Sequence, residues 1–360
     1  MSEALLAKPM LVLRQRQTSV KDLLLGMTAL GASDLFLKTG SPVRFKISGK
    51  VVSFEGDVLT RERMEHVLGC FMLGEERLQF RAEKVADLVY ASGSARYRVH
   101  FAHGHTGPYA AIRLIEQDIP EFAGLGLPAN VQHNLLSQRG GLVVVCGATD
   151  AGKTVTCTSL LNEFNQKRQL AILTLEDPIE YVFEDQSSMV LQREIGLHTD
   201  SFATGIKAAL RENLDVIFVG EMRGLDTIEE VLRASEMGHL VISTLHADDV
   251  FACINRVVGS FPPVEQSRIR QSFASVLQGV LFQRLLPTVD GGRAPCIEAL
   301  WPNTAVRSII RGGDITKLGS YLGKNAGNQS FRESLQDLLQ AGRISREVFT
   351  EQMANLPVSG

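Results

Sequence analysis

The chain has 360 residues, with 37 Lys plus Arg against 40 Asp plus Glu, a formal net charge of −3, 44% hydrophobic residues and 21% charged residues. These proportions exclude a disordered or low-complexity chain, and the length predicts two domains, each able to bury its own core. A near-neutral total argues against a bulk nucleic-acid coat.

Cys70, Cys146, Cys157, Cys253 and Cys296 are odd in number, scattered, and form no C-x-x-C pair. Neither a disulfide framework nor a zinc knuckle is expected, and a reducing compartment is. No run approaches the roughly 20 apolar residues of a spanning helix. The N-terminal apolar stretches are broken by Glu3, Lys8 and Pro9 and followed by Arg14 and Arg16, which does not read as a signal peptide. A cytoplasmic protein is expected, with any membrane role coming through a partner. No repeat of 20–50 residues is visible.

In chain order, Val20 to Leu30 has helical spacing, with Leu23, Leu24, Met27 and Leu30 apolar. Leu35–Leu37, Arg44–Ile47 and Val51–Phe54 read as short strands separated by Gly40, Pro42 and Gly49. Arg96–Ala102 alternates, with Tyr97, Val99 and Phe101 on one face and Arg96, Arg98 and His100 on the other. Tyr109–Ile115 is a further strand and carries Arg113. The stretch 123–128 (AGLGLP) is Gly-rich, ends in Pro, and reads as a linker between a domain over 1–122 and a second over 129–360.

Beyond it the pattern changes. Leu142–Cys146, Ala171–Leu175, Val216–Val219 and Leu240–Thr244 are apolar runs with helical patterns between them. Such runs suit a parallel sheet buried on both faces, whose site forms beyond the carboxyl ends of its strands. Just past those ends stand a phosphate-loop pattern, Glu176–Asp177, Glu221 and His246.

The stretch from Gly147 through Ala148, Thr149, Asp150, Ala151, Gly152 and Lys153 to Thr154 matches G-x-x-x-x-G-K-[ST] between a predicted strand and a predicted helix, Val155 following in that helix. Successive backbone N–H groups and the helix N-terminus make an anion site. Lys153 would bridge the β- and γ-phosphates, and the Thr154 hydroxyl would ligate Mg²⁺. The bland alternative is a glycine-bounded turn that binds nothing. Asp150 is unusual where most such loops place Gly. A carboxylate about 5 Å from a phosphate charge repels it by about 3 kcal/mol at an effective dielectric near 20, roughly a hundredfold in affinity if nothing offsets it. Lys153, Mg²⁺ and water offset part of this, and a solvent-facing Asp150 would have no effect.

Glu176 ends a strand before Pro178 and could polarise an attacking water, whereas Glu180 is expected to be structural. Glu221, after Val216–Val219 and Gly220, reads as the acid of a Walker B strand that holds Mg²⁺ or its water shell. His246 lies at the site edge and suits a γ-phosphate sensor; His239 lies at the opposite end of the same strand. Arg96 and Arg98 share a strand face and, with Arg113, suit phosphate charge stabilisation. They could equally be solvated surface arginines. Val306, Ile309 and Ile310 share one helical face and Arg307 and Arg311 another, as on a surface helix. Phe331, Leu335, Leu338 and Leu339 mark a second amphipathic helix.

With these residues in view, the chain resembles the secretion-superfamily hexameric ATPases, and within them the type IV pilus retraction ATPases of the PilT/PilU-like group. The resemblance is carried by the phosphate loop, LEDPIEYVF (175–183), VGEMR (219–223), GHLVISTLH (238–246) and AVRSIIR (305–311), and runs from GASDL (31–35) to the C-terminal helices. The tetracysteine zinc module usual in assembly ATPases is absent from the sequence.

The resemblance implies an α/β fold in which a smaller PAS-like domain precedes a RecA-like P-loop domain with C-terminal helices. It implies ATP and Mg²⁺ as ligands, a homo-hexamer, an inner-membrane pilus platform protein as partner, and peripheral membrane association through it. It also implies catalytic Glu176, Mg²⁺-linked Glu221, and Arg98 and Arg113 at the nucleotide. Departures from the usual pattern are Asp150 for Gly, Ala151 for Ser, Ala148 for Pro or Ser, Ile297 for His, and Asn213-Leu214 for Asp-Pro. They leave open a weakly hydrolysing ring subunit that supports a competent paralogous ATPase, or an ATPase of a related secretion or conjugation machine. A nucleic-acid motor is disfavoured by the net charge and the lack of a basic-aromatic track.

Overall fold

The computed structural model describes residues 19–47, 49–54, 58–72, 74–93, 95–115, 118–323 and 327–356. The N-terminal charges that argue against a signal peptide, Glu3 to Arg16, lie outside the described residues. The chain divides into two compact units, Met1–Asp118 and Ile119–Gly360.

The first unit opens with helix α1 (Val20–Ala29), started by a capping box in which Ser19 and Asp22 satisfy each other's backbone amides. Strands β1 (Ala32–Lys38), β2 (Arg44–Ile47) and β3 (Lys50–Ser53) follow, then α2 (Arg61–Phe71) and α3 (Glu75–Glu83). Strands β4 (Val85–Ser92), β5 (Ala95–Gly104) and β6 (Gly107–Ile115) complete a six-stranded antiparallel sheet in the order β3-β2-β1-β6-β5-β4. Leu23, Leu24 and Met27 of α1 and Met64, Leu68 and Phe71 of α2 bury one sheet face with Leu35, Tyr97, Val99, Phe101 and Ile112. The alternation read along β5 is therefore a core face and an outward face.

The second unit does not begin with a free linker. Residues 122–125 form a 3₁₀ turn, and Phe122 and Leu127 are buried in this unit's core. Helix α4 (Ala129–Ser137) leads to β7 (Gly141–Cys146), α5 (Lys153–Lys167), β8 (Ala171–Glu176), β9 (Met189–Glu194), α6 (Phe202–Ala209), β10 (Val216–Val219), α7 (Leu225–Glu236) and β11 (Leu240–Leu245). Helices α8 (Val250–Gly259) and α9 (Gln266–Val276) precede β12 (Leu277–Pro287) and β13 (Arg293–Leu300). Helices α10 (Thr304–Gly312), α11 (Phe331–Gln340) and α12 (Arg346–Ala354) follow.

The sheet order is β13-β12-β7-β11-β10-β8-β9, parallel except for β13. Alternate strand residues enter two different cores. Leu142, Val144, Leu173, Ile217 and Val241 pack under α6 to α9, while Val143, Val145, Ile172, Phe218 and Ile242 pack under α4 and α5. The four predicted runs thus sit inside a three-layer α/β/α unit, and burial on both faces explains their lack of alternation. Strands β4, β9, β12 and β13 and helices α2, α3, α4, α8, α9 and α12 are additions that the sequence reading did not anticipate. Among the described residues no helix is long and apolar enough to cross a membrane.

Candidate functional site

The loop after β7 turns tightly because its glycines permit it. Gly147 has φ 154° and Gly152 φ 81°. A Cβ on Gly147 would lie 2.4 Å from the Gln283 carbonyl oxygen of β12, so only glycine fits there. Asp150 adopts φ 62°, a left-handed conformation, with an exposed side chain. Asp tolerates that region better than most residues, so the loop forms without Gly at this position. Ala151 and Lys153 are buried, while Ala148 and Thr149 are exposed.

Lys153 is 9% exposed and folds over its own loop, donating from Nζ to the carbonyls of Gly147 and Ala148 at 2.9 and 2.8 Å. Burial pulls its pKa down from the ordinary value, partly offset by the Glu221 charge. The first-turn amides of α5 have no helical acceptor, as in any helix, and Gly152 at its N-cap supplies no side chain to them. They remain available to an anion.

Three strand ends converge beside this loop. The register aligns Val219 of β10 with Leu175 of β8 and with Ser243 of β11, and Leu245 of β11 with Cys146 of β7. Past the strand ends, Gly220 donates to the Leu175 carbonyl, Met222 to the Thr244 carbonyl and Gly147 to the Leu245 carbonyl. These bonds bring Glu176, Glu221, His246 and the loop to one edge. Glu221 lies 3.6 Å from His246 Nε2 and 3.4 Å from Arg223 Nε. A pocket of about 100 Å³ is lined by Glu221, Arg223, His246 and Arg256 among others.

Glu176 differs from the solvated acid that a strand end suggests. It is 4% exposed and accepts from Thr174 Oγ1 at 2.6 Å and Gln192 Nε2 at 3.2 Å. Burial raises its pKa to about 7, although those two hydrogen bonds favour the charged form. It is therefore poised to exchange a proton near neutral pH. Asp177 and Glu180 beyond it are exposed.

His239, at the far end of β11, is held by the Leu214 carbonyl at 2.7 Å from Nδ1, a structural contact away from the site edge. Arg307 is more than a surface residue: it donates to the carbonyls of Ala274 and Ser275 at 2.6 and 3.1 Å and closes the C-terminus of α9.

In the first unit Arg98 and Arg113 are direct cross-strand partners on β5 and β6. Two like charges opposed on one face cost stability unless countered. Asp34, 7% exposed, accepts from Arg113 Nε at 2.8 Å, and Asp87 lies 4.0 Å from Arg98. Arg96 sits on the same face as Arg98.

Sequence reasoning missed three supporting residues: Thr174 and Gln192 on Glu176, and Gln283 behind the loop. Each is polar within a strand, a weak local signal, and each finds its partner through the fold.

A triphosphate with magnesium, the pair the resemblance implies, fits this donor set. The helix N-terminus and Lys153 supply positive character, and the half-buried Thr154 hydroxyl and Glu221 are hard oxygen donors of the kind Mg²⁺ prefers. Among the described residues no cluster of His, Cys, Asp and Glu forms a separate metal site.

The strand order, the glycine-bounded loop at the N-terminus of α5 and the acids at the neighbouring strand ends define a RecA-like P-loop unit, which follows a smaller α/β domain in the sequence. Residues 17–305 match the type II/IV secretion system protein family, and the chain belongs to that family. It is 34% identical over 341 residues to the type IV pilus retraction ATPase PilT of Pseudomonas aeruginosa, covering 94% of this chain and 98% of that protein. It is 37% identical over 319 residues to the uncharacterized protein YggR of Escherichia coli, covering 87% and 95% of the two chains. A crystal structure of the pilus retraction motor PilT with bound ADP superimposes with a TM-score of 0.86 at 37% identity, over 93% of this chain and 97% of that one.

Proposed function

We propose that the protein is a Mg²⁺-dependent ATPase that works as a ring of six on the cytoplasmic face of the inner membrane. It drives type IV pilus retraction through the pilus platform protein. The observation that carries this reading is the gathering of Lys153, Thr154, Glu176, Glu221 and His246 at one sheet edge in a chain that matches a retraction ATPase over almost its whole length.

The assigned roles follow from the chemistry of each group. The amides and side chains of the loop, Gly147, Thr149, Asp150, Ala151, Gly152, Lys153, Thr154 and Val155, form the nucleotide cradle, with Lys153 leaving its two loop carbonyls for phosphate oxygens. Magnesium, when bound, neutralises phosphate charge, and Thr154 and Glu221 would hold it or its waters. Glu176 takes the proton of the attacking water, helped by a pKa near the working pH. His246, 3.6 Å from Glu221, senses the terminal phosphate from the adjoining strand end. Arg98 and Arg113 contribute charge to the nucleotide from the first domain, and release of that grip on hydrolysis is the source of motion.

Asp150 in place of the usual loop Gly motivates one second reading, a slow ring subunit that assists a competent paralogue. The test is coupled ATP turnover beside native mass. Wild type is expected to hydrolyse ATP as a hexamer, and Lys153→Ala to lose turnover by at least a hundredfold. A monomeric wild type, or a Lys153→Ala variant with full turnover, would defeat the proposal. A hexamer with negligible turnover in both would favour the assisting subunit.

A further inference from the structure

The phosphate loop is bolted from behind by one side chain that neither the sequence motif nor the roles above include. Gln283 lies on β12, next to β7 in the sheet, and is 2% exposed. Its Nε2 donates to the Ala151 carbonyl at 2.7 Å, and its Oε1 accepts from Thr156 Oγ1 at 2.8 Å. One amide group thus grips the loop and the first turn of α5 together. The backbone fits around it as closely. A Cβ on Gly147 would meet the Gln283 carbonyl oxygen at 2.4 Å, and one on Gly152 would meet its Nε2 at 2.8 Å. Both glycines of the motif are therefore pressed against this residue.

The Ala151 bond has a directional consequence. In a trans peptide the C=O of one residue and the N–H of the next point in opposite directions. Holding the Ala151 carbonyl against Gln283 therefore turns the Gly152 N–H away from β12. The Thr156 contact fixes the helix whose N-terminus supplies the remaining amides.

We infer that Gln283 is a positioning residue for nucleotide binding: it sets the orientation of the 151–152 peptide and the start of α5 before any phosphate arrives. The inference rests on the loop being the nucleotide site, and it makes a claim about the loop alone that can be tested without nucleotide. Arg284, the next residue on β12, serves the other layer. It donates to Gln352 Oε1 at 2.9 Å and lies over the Phe282 and Phe331 rings, so its contacts form a comparison group on the same strand.

Gln283→Met keeps the volume and flexibility of the side chain and removes both hydrogen bonds, so the fold is expected to survive. Hydrogen exchange on the full, nucleotide-free chain is the first readout. The amides of Ala151 and Thr156, bonded to the carbonyls of Ala148 and Gly152, should exchange at least about tenfold faster in Gln283→Met than in wild type, with no change in the C-terminal helices. The second is the affinity for a fluorescent ADP, expected to weaken about tenfold. Thr156→Val removes one of the two bonds and should weaken ADP less. The double variant should bind like Gln283→Met alone, because the Thr156 bond is already gone. The variant Arg284→Met should leave loop exchange and ADP affinity at wild-type values. Unchanged loop exchange in Gln283→Met, or an effect no greater than that of Arg284→Met, overturns the inference. If wild type fails to bind ADP, the nucleotide reading falls, and the exchange experiment still decides what Gln283 does.

Discussion

Substitution of Glu176 by Gln gives a stability change whose sign depends on pH. The wild-type carboxyl is 4% exposed, and burial raises its pKa from the ordinary 4.5 to about 7. Below pH 4.5 the group is neutral in both the folded and the unfolded chain and costs nothing. Between 4.5 and 7 the folded chain retains a proton that the unfolded chain has lost, so stability falls as pH rises. Above 7 the folded chain carries a buried charge, and the loss levels off at about 3 kcal/mol, taking about 1.4 kcal/mol per pH unit. Glutamine keeps an acceptor for Thr174 Oγ1 and cannot ionise. Glu176→Gln should therefore match wild type near pH 4.5 and exceed it at pH 8 by about 3 kcal/mol, or roughly 6–12 °C in melting temperature for a unit of this size. Glu298, 8% exposed and also raised to about 7 by burial, adds a slope of the same sign to both proteins and cancels in the comparison. The assay is thermal unfolding of both proteins without nucleotide, at fixed protein concentration, from pH 4.5 to 8.5. A melting-temperature difference that stays constant over this range would refute the reasoning. The same variant should lose ATP turnover, because a stabilising change at a buried acid is what a site retained for chemistry predicts.

Asp150→Gly removes an exposed carboxylate from the loop, so water screens its repulsion. At about 5 Å in a dielectric near 80 the cost is about 0.8 kcal/mol, and ATP affinity by calorimetry should improve about fourfold, not a hundredfold. A gain of a hundredfold would show that the carboxylate faces the phosphates, and no gain that it never meets them. His239→Ala, which loses the bond to the Leu214 carbonyl, should cost about 1–2 kcal/mol in chemical denaturation and leave turnover per folded ring unchanged. Loss of turnover without loss of stability would contradict the structural role of His239.

How much of this was legible before the fold depended on where each polar group finds its partner. Strands β7, β8, β10 and β11 are buried on both faces, so their sequence is a nearly continuous apolar run and their ends can be read to within one residue. The groups at or just past those ends, Glu176, Glu221 and His246, follow from that reading. Strand β12 is also largely buried, yet Gln278, Gly279, Gln283 and Arg284 interrupt its run. Gln283 is acceptable there because the loop and the first turn of α5, 127 to 132 residues earlier, supply its partners, a fact no local pattern carries. Gln192 on β9 is similar: it serves Glu176, the Tyr181 carbonyl and the Phe183 amide across the chain. The stretch 123–128 combines two signals. Its Gly and Pro content is that of a linker, but Phe122 and Leu127 on its flank and within it are core residues.

The burial of Glu176 was the least predictable feature and the most consequential. Position alone made it a strand-end acid, which is ordinarily solvated. The fold closes over it with Thr174 on its own strand and Gln192 on the neighbouring edge strand, and those two donors do not fully repay the lost hydration, since its pKa still stands near 7. A carboxyl placed only to cap or to pair would be more stable exposed or beside a cation. Arg223, a cation at this edge, pairs with Glu221 instead. The two acids of the site therefore stand in different surroundings: Glu176 is closed off and poised to trade a proton, and Glu221 lies beside Arg223 and His246. Under the proposed function, that difference in surroundings, more than the loop motif itself, is what would separate a hydrolytic edge from a passive nucleotide cradle.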